Sequence, residues 1–218
     1  MHYIFQSYNY DLSDPESIPN LFLKHLSIVG ITMLISIAIA IPIGIIVARY
    51  QRFYLPTLTV SSLLYTIPSI AAFGLLIPVT GLSPATAIIP LVLYNQLVLI
   101  RNTAAAIGNI DPHLLEVGRA MGMTPMQILF RVTLPLALPV IVAGIRIATV
   151  TTVGIAALAA FIGQSNLGDL IFQNIVSGDT DAMLAGAILI ALLAIVADLL
   201  LLGLQVALNR GRSAISIA

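Results

Sequence analysis

The chain has 218 residues, of which 59% are hydrophobic and 8% charged, and its mean hydropathy is +1.07. That composition lies outside the range of soluble globular domains and points to an integral membrane protein. Basic and acidic residues number nine each and cysteine is absent, which excludes a globally basic nucleic-acid binder, a disulfide framework and thiol chemistry.

Residues 1–20 carry Asp11, Asp14 and Glu16 without a basic cluster or an apolar core. That is the reverse of a secretory signal peptide, so they read as a retained extracytoplasmic tail. A spanning helix needs roughly 20 apolar residues, and uncharged or nearly uncharged runs of suitable length occupy 26–48, 55–79, 85–100, 134–162 and 182–208. Thr80-Gly81-Leu82-Ser83-Pro84 separates the second run from the third. Pro68 is expected to bend the second span. The third is short and either continues past Arg101 or tilts less. The chain is thus expected to form a single all-α domain of five spans with one conspicuous loop at 111–135.

Basic residues near span ends mark the cytoplasmic side. Arg49, Arg52, Arg101, Arg119, Arg131, Arg210 and Arg212 all fall on one side of a five-span chain, while Asp11, Asp14, Glu16, Asp169, Asp179 and Asp181 fall on the other. The N-terminus is therefore expected outside and the C-terminus inside.

The cytoplasmic loop reads DPHLLEVGRAMGMTPMQILFRVTLP. Asp111 before Pro112 is an N-cap signal, Gly122 suits a helix C-terminus, and Thr124 with Gln127 spells a capping box. Two short helices should meet at a bend. They carry Met121, Met123, Met126, Ile128, Leu129 and Phe130, an apolar load that suits a docking face. An amphipathic pair lying on its own bundle or on lipid accounts for the same pattern equally well.

The spacing of Glu116, Gly122 and Val132-Thr133-Leu134-Pro135 resembles the EAA loop of permease subunits in binding-protein-dependent ABC importers. Val117 and Gly118 stand where that family usually has alanines, and Gly118 is expected to loosen the first helix by roughly 1 kcal/mol. The segments YTIPSIAAFGLLIPVTG, RNTAAAIGNIDPHLLEVGRAMGMTPMQILFRVTLPLALPVIVAGIR and AAFIGQSNLGDLI resemble the osmoprotectant branch, whose solutes are glycine betaine, choline and carnitine. Methionine-type permeases are the nearest alternative. The resemblance implies a type I ABC importer permease in the cytoplasmic (inner) membrane. It also implies that Glu116, Arg119, Ala120, Gly122, Met123, Pro125, Leu134 and Pro135 couple to a separate ATPase. Two ATPase subunits, a second permease copy or paralogue and an extracytoplasmic binding protein would complete the assembly. The chain has no G-x-x-x-x-G-K-[ST], so ATP and magnesium are expected on the ATPase and no cofactor on this transport subunit, which is not itself an enzyme.

Polar residues inside spans mark a candidate solute path or simple interhelical hydrogen bonds: Tyr65, Pro68 and Ser69 in span two, Asn95 in span three, Thr149 and Thr152 in span four. No aromatic cage for a quaternary ammonium is recognisable. The histidines, His2, His25 and His113, are scattered and read as isolated surface residues, with no catalytic or metal site. Arg146 and Asp198 lie at matching depth in spans four and five, and pairing is one reading; separate roles in the pore and at another subunit are the other. A secondary transporter or channel is the rival class, but its inverted repeat is not evident.

Overall fold

A computed structural model describes residue 3 and residues 6–213, with the side chains of Arg210 and Arg212, like His2, outside the described set. Every element among the described residues is helical. The first long helix, α1 (Ile18–Arg49), begins inside the stretch expected to be tail, because Ser17 and Pro19 provide a start signal well before the uncharged run. Lys24 Nζ donates to the Pro15 carbonyl at 2.9 Å and the Asn20 amide to Leu12 and Asp14 carbonyls. These bonds tie the acidic tail to the first turns of α1.

The second run is broken rather than gently bent. It is a pair, α2 (Tyr54–Tyr65) and α3 (Ser69–Thr80), broken by a 90° turn. Proline explains why: it lacks the N–H that would continue the ladder, and it biases Ile67 away from helical geometry. Pro68 itself, at φ −59 and ψ 134, serves as N-cap of α3. Tyr94 donates its hydroxyl to the Ile67 carbonyl at 2.8 Å, satisfying a backbone group that the break exposes.

Gly81, at φ +66, closes α3 and leads into α4 (Pro84–Gly108), which continues past Arg101. Next come α5 (Pro112–Ala120), α6 (Pro125–Ile128), a π-helical turn at Leu129–Thr133 and α7 (Leu134–Ala156), prolonged by a 3-10 segment to Ile162. The short α8 (Asp169–Phe172) and α9 (Asn174–Ser177) precede α10 (Thr180–Ser213), whose start Asp179 caps through the Ala182 N–H at 3.1 Å. Among the described residues four helices are long and apolar enough to cross a membrane, and the bent α2–α3 pair makes a fifth span when counted as one.

Packing centres on α4, which lies against α1, α2, α3 and α7, while α10 packs mainly along α7. Small residues allow the close approaches. A Cβ on Gly44 would sit 2.6 Å from Thr103 Cβ, and one on Gly144 would sit 2.6 Å from Asn102 Cβ. The core of Leu21, Phe73, Leu91, Leu99, Ile100 and Val153 fills the space between these helices.

Candidate functional site

The loop at 111–135 is fixed by local hydrogen bonds. Asp111 accepts from the His113 N–H at 2.9 Å, and Pro112 opens α5 without needing a donor. At the other end the Gly122 N–H donates to Arg119 O at 2.9 Å and the Met123 N–H to Gly118 O at 3.1 Å. These two bonds form a Schellman motif, and Gly122 takes the left-handed conformation it requires, at φ +76. Thr124 and Gln127 then cap α6 reciprocally, at 3.3 and 2.8 Å. The turn between the two helices is thus specified twice, by a stop and by a start.

One residue pair holds α5 against α6. Gly118 and Ile128 are both buried, and a Cβ at 118 would meet Ile128 Cγ1 at 3.4 Å. An adjoining surface is apolar and open. Leu114, Val117 and Met121 follow helical spacing on α5, and Met121, Met126 and Phe130 are 60% exposed or more. Glu116 stands beside this face, exposed, with a carboxylate oxygen 3.5 Å from His113 Nδ1. Arg119, Ala120, Gly122 and Pro125 are exposed, and Met123 is half-buried. Leu134 and Pro135 begin α7 directly after the π turn, so the loop and the spanning helix form one continuous helical path. Large exposed apolar patches of this kind are a common feature of docking surfaces.

The intramembrane candidates separate into distinct groups. Asn95 and Thr152 come together in a buried cluster: Thr152 Oγ1 lies 3.0 Å from Asn95 Oδ1, and Asn95 Nδ2 donates to Ser36 Oγ at 3.2 Å. Ser36 and Thr152 also bond back to carbonyls of their own helices. This network joins α1, α4 and α7. Tyr65 is exposed at the end of α2, its ring edge-on to Tyr94 with centroids 5.8 Å apart, and Pro68 and Ser69 adjoin it at the break. Thr149 bonds the Ile145 carbonyl of its own helix.

Arg146 and Asp198 meet. Arg146 Nε donates to Asp198 Oδ1 and Nη2 to Asp198 Oδ2, both at 2.9 Å, while Nη1 donates to Gln205 Oε1 at 2.8 Å. The fork geometry ties α7 to α10 where both are otherwise apolar.

His25 overturns its reading as a surface residue. It is fully buried, with Nε2 3.1 Å from Val153 O and Nδ1 3.3 Å from Asn166 Oδ1. Asn166 also accepts from the Gly168 N–H and, through its own N–H, donates to Asp169 Oδ2. Burial pushes the Asp169 carboxyl above the usual aspartate range, opposed by the Asn166 N–H and reinforced by the Glu16 charge. The turn at 166–169 is thereby fastened to α1 and α7. No group of three or more histidine, cysteine or acidic side chains suited to a metal occurs among the described residues.

Residues 40–213 match the family described as binding-protein-dependent transport system inner membrane component. The osmoprotectant import permease protein OsmW of Salmonella typhimurium is 41% identical over 92% of this chain and 96% of its own length. The glycine betaine/carnitine/choline transport system permease protein OpuCD of Bacillus subtilis is 43% identical over 86% of this chain and 82% of its own. Among solved structures, the MetNI methionine ABC transporter in inward-facing conformations superposes with a TM-score of 0.76 at 26% identity, covering 85% of this chain and 93% of that one.

Proposed function

Because this chain belongs to the family of binding-protein-dependent transport system inner membrane components, we propose that it is the membrane-spanning subunit of an ATP-driven importer for a quaternary-amine compatible solute. Glycine betaine, choline and carnitine are the candidates. The observation that carries the solute class is the 41–43% identity to permeases named for osmoprotectants or for those three solutes, against 26% to the methionine transporter that shares the fold.

The exposed face around Glu116, Met121 and Met126 receives a separate ATPase subunit, which supplies the ATP and magnesium. The continuous helical path through the π turn into α7 carries its movement to the bundle. A second permease copy or paralogue, a second ATPase and an extracytoplasmic binding protein complete the assembly, with the acidic N-terminal tail outside and the C-terminus inside. Tyr65 and Pro68, exposed at the α2–α3 break, and half-buried Ser69 beside them remain path candidates, together with Thr149. Asn95 and Thr152 act chiefly by holding three helices together.

Uptake of radiolabelled glycine betaine, choline, carnitine and methionine, in cells whose only such importer contains this chain with its ATPase and binding protein, tests the reading. ATP-dependent uptake of at least one quaternary amine is expected. Uptake of methionine alone would overturn the solute class.

A further inference from the structure

Arg146 lies twelve residues beyond Leu134 and Asp198 eighteen beyond Thr180, roughly 18 and 27 Å along their helices at about 1.5 Å per residue. Both are deep in apolar helix. Yet neither side chain is sealed: 21% of Arg146 and 33% of Asp198 remain exposed. They open onto an open-sided cavity of about 430 Å³ lined by Ala143, Ile147, Val150 and Thr151 as well as the pair itself. That volume falls within the roughly 300–1,000 Å³ of small-molecule sites.

The guanidinium carries five N–H groups, of which Asp198 and Gln205 take three. Two are left over. A carboxylate can accept about four hydrogen bonds, and Asp198 receives two here. The pair is neutral as a whole, but it leaves two guanidinium donors and two carboxylate acceptor positions unused, side by side, beside a small apolar wall. Ionisable groups at this depth face water-filled cavities or protein rather than acyl chains, and they mark solute pathways.

We propose that the Arg146–Asp198 cavity is a station for a zwitterionic solute on the transport path, an inference that rests on the transport reading above. The solute carboxylate takes the two free guanidinium N–H groups. Its quaternary ammonium lies against the Asp198 carboxylate, with the methyl groups on Ala143, Ile147 and Val150. Gln205 holds the third guanidinium nitrogen, so the arginine keeps its orientation when the solute arrives and leaves. A quaternary alcohol such as choline engages Asp198 alone and is held less well.

The chain has no native cysteine, so Thr151→Cys gives a unique probe on the cavity wall. In the assembled importer in nanodiscs this thiol is expected to react with 2-(trimethylammonium)ethyl methanethiosulfonate. Glycine betaine should slow the reaction about fivefold once it reaches about four times its dissociation constant, and choline at the same concentration should slow it less. Adding Arg146→Gln with Asp198→Asn should erase the difference between the two solutes. If that neutral pair fails to assemble, Arg146→Lys, which keeps the charge but not the fork, should weaken protection by glycine betaine more than protection by choline. An unreactive thiol, or equal protection by both solutes in the original pair, would overturn the station. Uptake by the same importer in proteoliposomes separates the cases: uptake without protection overturns the station alone, and no uptake of any quaternary amine overturns the transport reading with it.

Discussion

Replacing Gly118 by alanine and, separately, Gly122 by alanine adds one methyl group at each of two glycines four residues apart, and the two additions should have opposite effects. At 118 the backbone is helical and the new Cβ would meet Ile128 Cγ1 at 3.4 Å and Met123 Sδ at 3.7 Å. Those are ordinary contacts, so alanine fits. The change removes a glycine from a helix and should stabilise α5 by about 1 kcal/mol. At 122 nothing crowds the new atom, but φ is +76, and an L side chain there costs roughly 1–2 kcal/mol. The penalty falls on the turn that carries both Schellman bonds. Free energies of about one and two kilocalories correspond to factors of roughly 5 and 30 in an opening equilibrium. Hydrogen exchange at the Gly122 and Met123 amides reads that equilibrium directly, because both are bonded in the closed turn. Exchange should slow about fivefold at Met123 in Gly118→Ala and quicken at Met123 by about 5- to 30-fold in Gly122→Ala. Solute transported per ATP should fall only in the second. Faster exchange in Gly118→Ala, or an unchanged rate in Gly122→Ala, would refute the assignment of packing to one glycine and turn geometry to the other.

Gly144→Ala should destabilise the bundle by roughly 1–3 kcal/mol, because its Cβ would lie 2.6 Å from Asn102 Cβ, which no rotamer change can move. Gly30→Ala, with nothing within 4 Å, is the matched control, and thermal unfolding in detergent compares them. An impermeant maleimide applied outside should label Ser177→Cys and leave Met121→Cys untouched; reversed labelling would invert the topology. Asp169 titrates above its usual range, so the folded state holds a proton that the unfolded chain has released. Stability should therefore fall as pH rises from the ordinary aspartate value of about 3.9 through the raised one. Asp169→Asn should flatten that part of the melting-temperature profile, and an unaltered profile would remove Asp169 as its source.

Signals that act within a few residues are legible in the sequence itself. Asp111 with Pro112, Gly122, and Thr124 with Gln127 each specify a hydrogen bond to backbone close by, and each of those bonds is present. The meeting of Arg146 and Asp198 demands more, but two charges in apolar helices have few places to go. His25 reads wrongly as a surface residue because its partners lie 128 and 141 residues away, and nothing around it in sequence points to them. Proline at 68 announces a bend but not a break of 90°. The carbonyl that the break frees is satisfied by Tyr94, 27 residues away. Gly118 looks like a weakness in α5, and only the position of Ile128 makes it a contact.

The π turn at Leu129–Thr133 has a consequence for how such chains can vary in length. Its hydrogen bonds reach one residue further than those of an α-helix, so it stores one surplus residue in an otherwise unbroken rod. Each residue advances an α-helix by about 100°. Losing the surplus one would turn everything upstream, including the exposed face of α5 and α6, by about that angle relative to Arg146 on α7. The turn thus acts as an azimuthal index between the loop helices and α7. A one-residue deletion confined to it would leave both helical stretches intact in themselves while re-aiming the exposed face of α5 and α6, whereas the same deletion in the connector between α4 and α5 would move no helix that continues into α7.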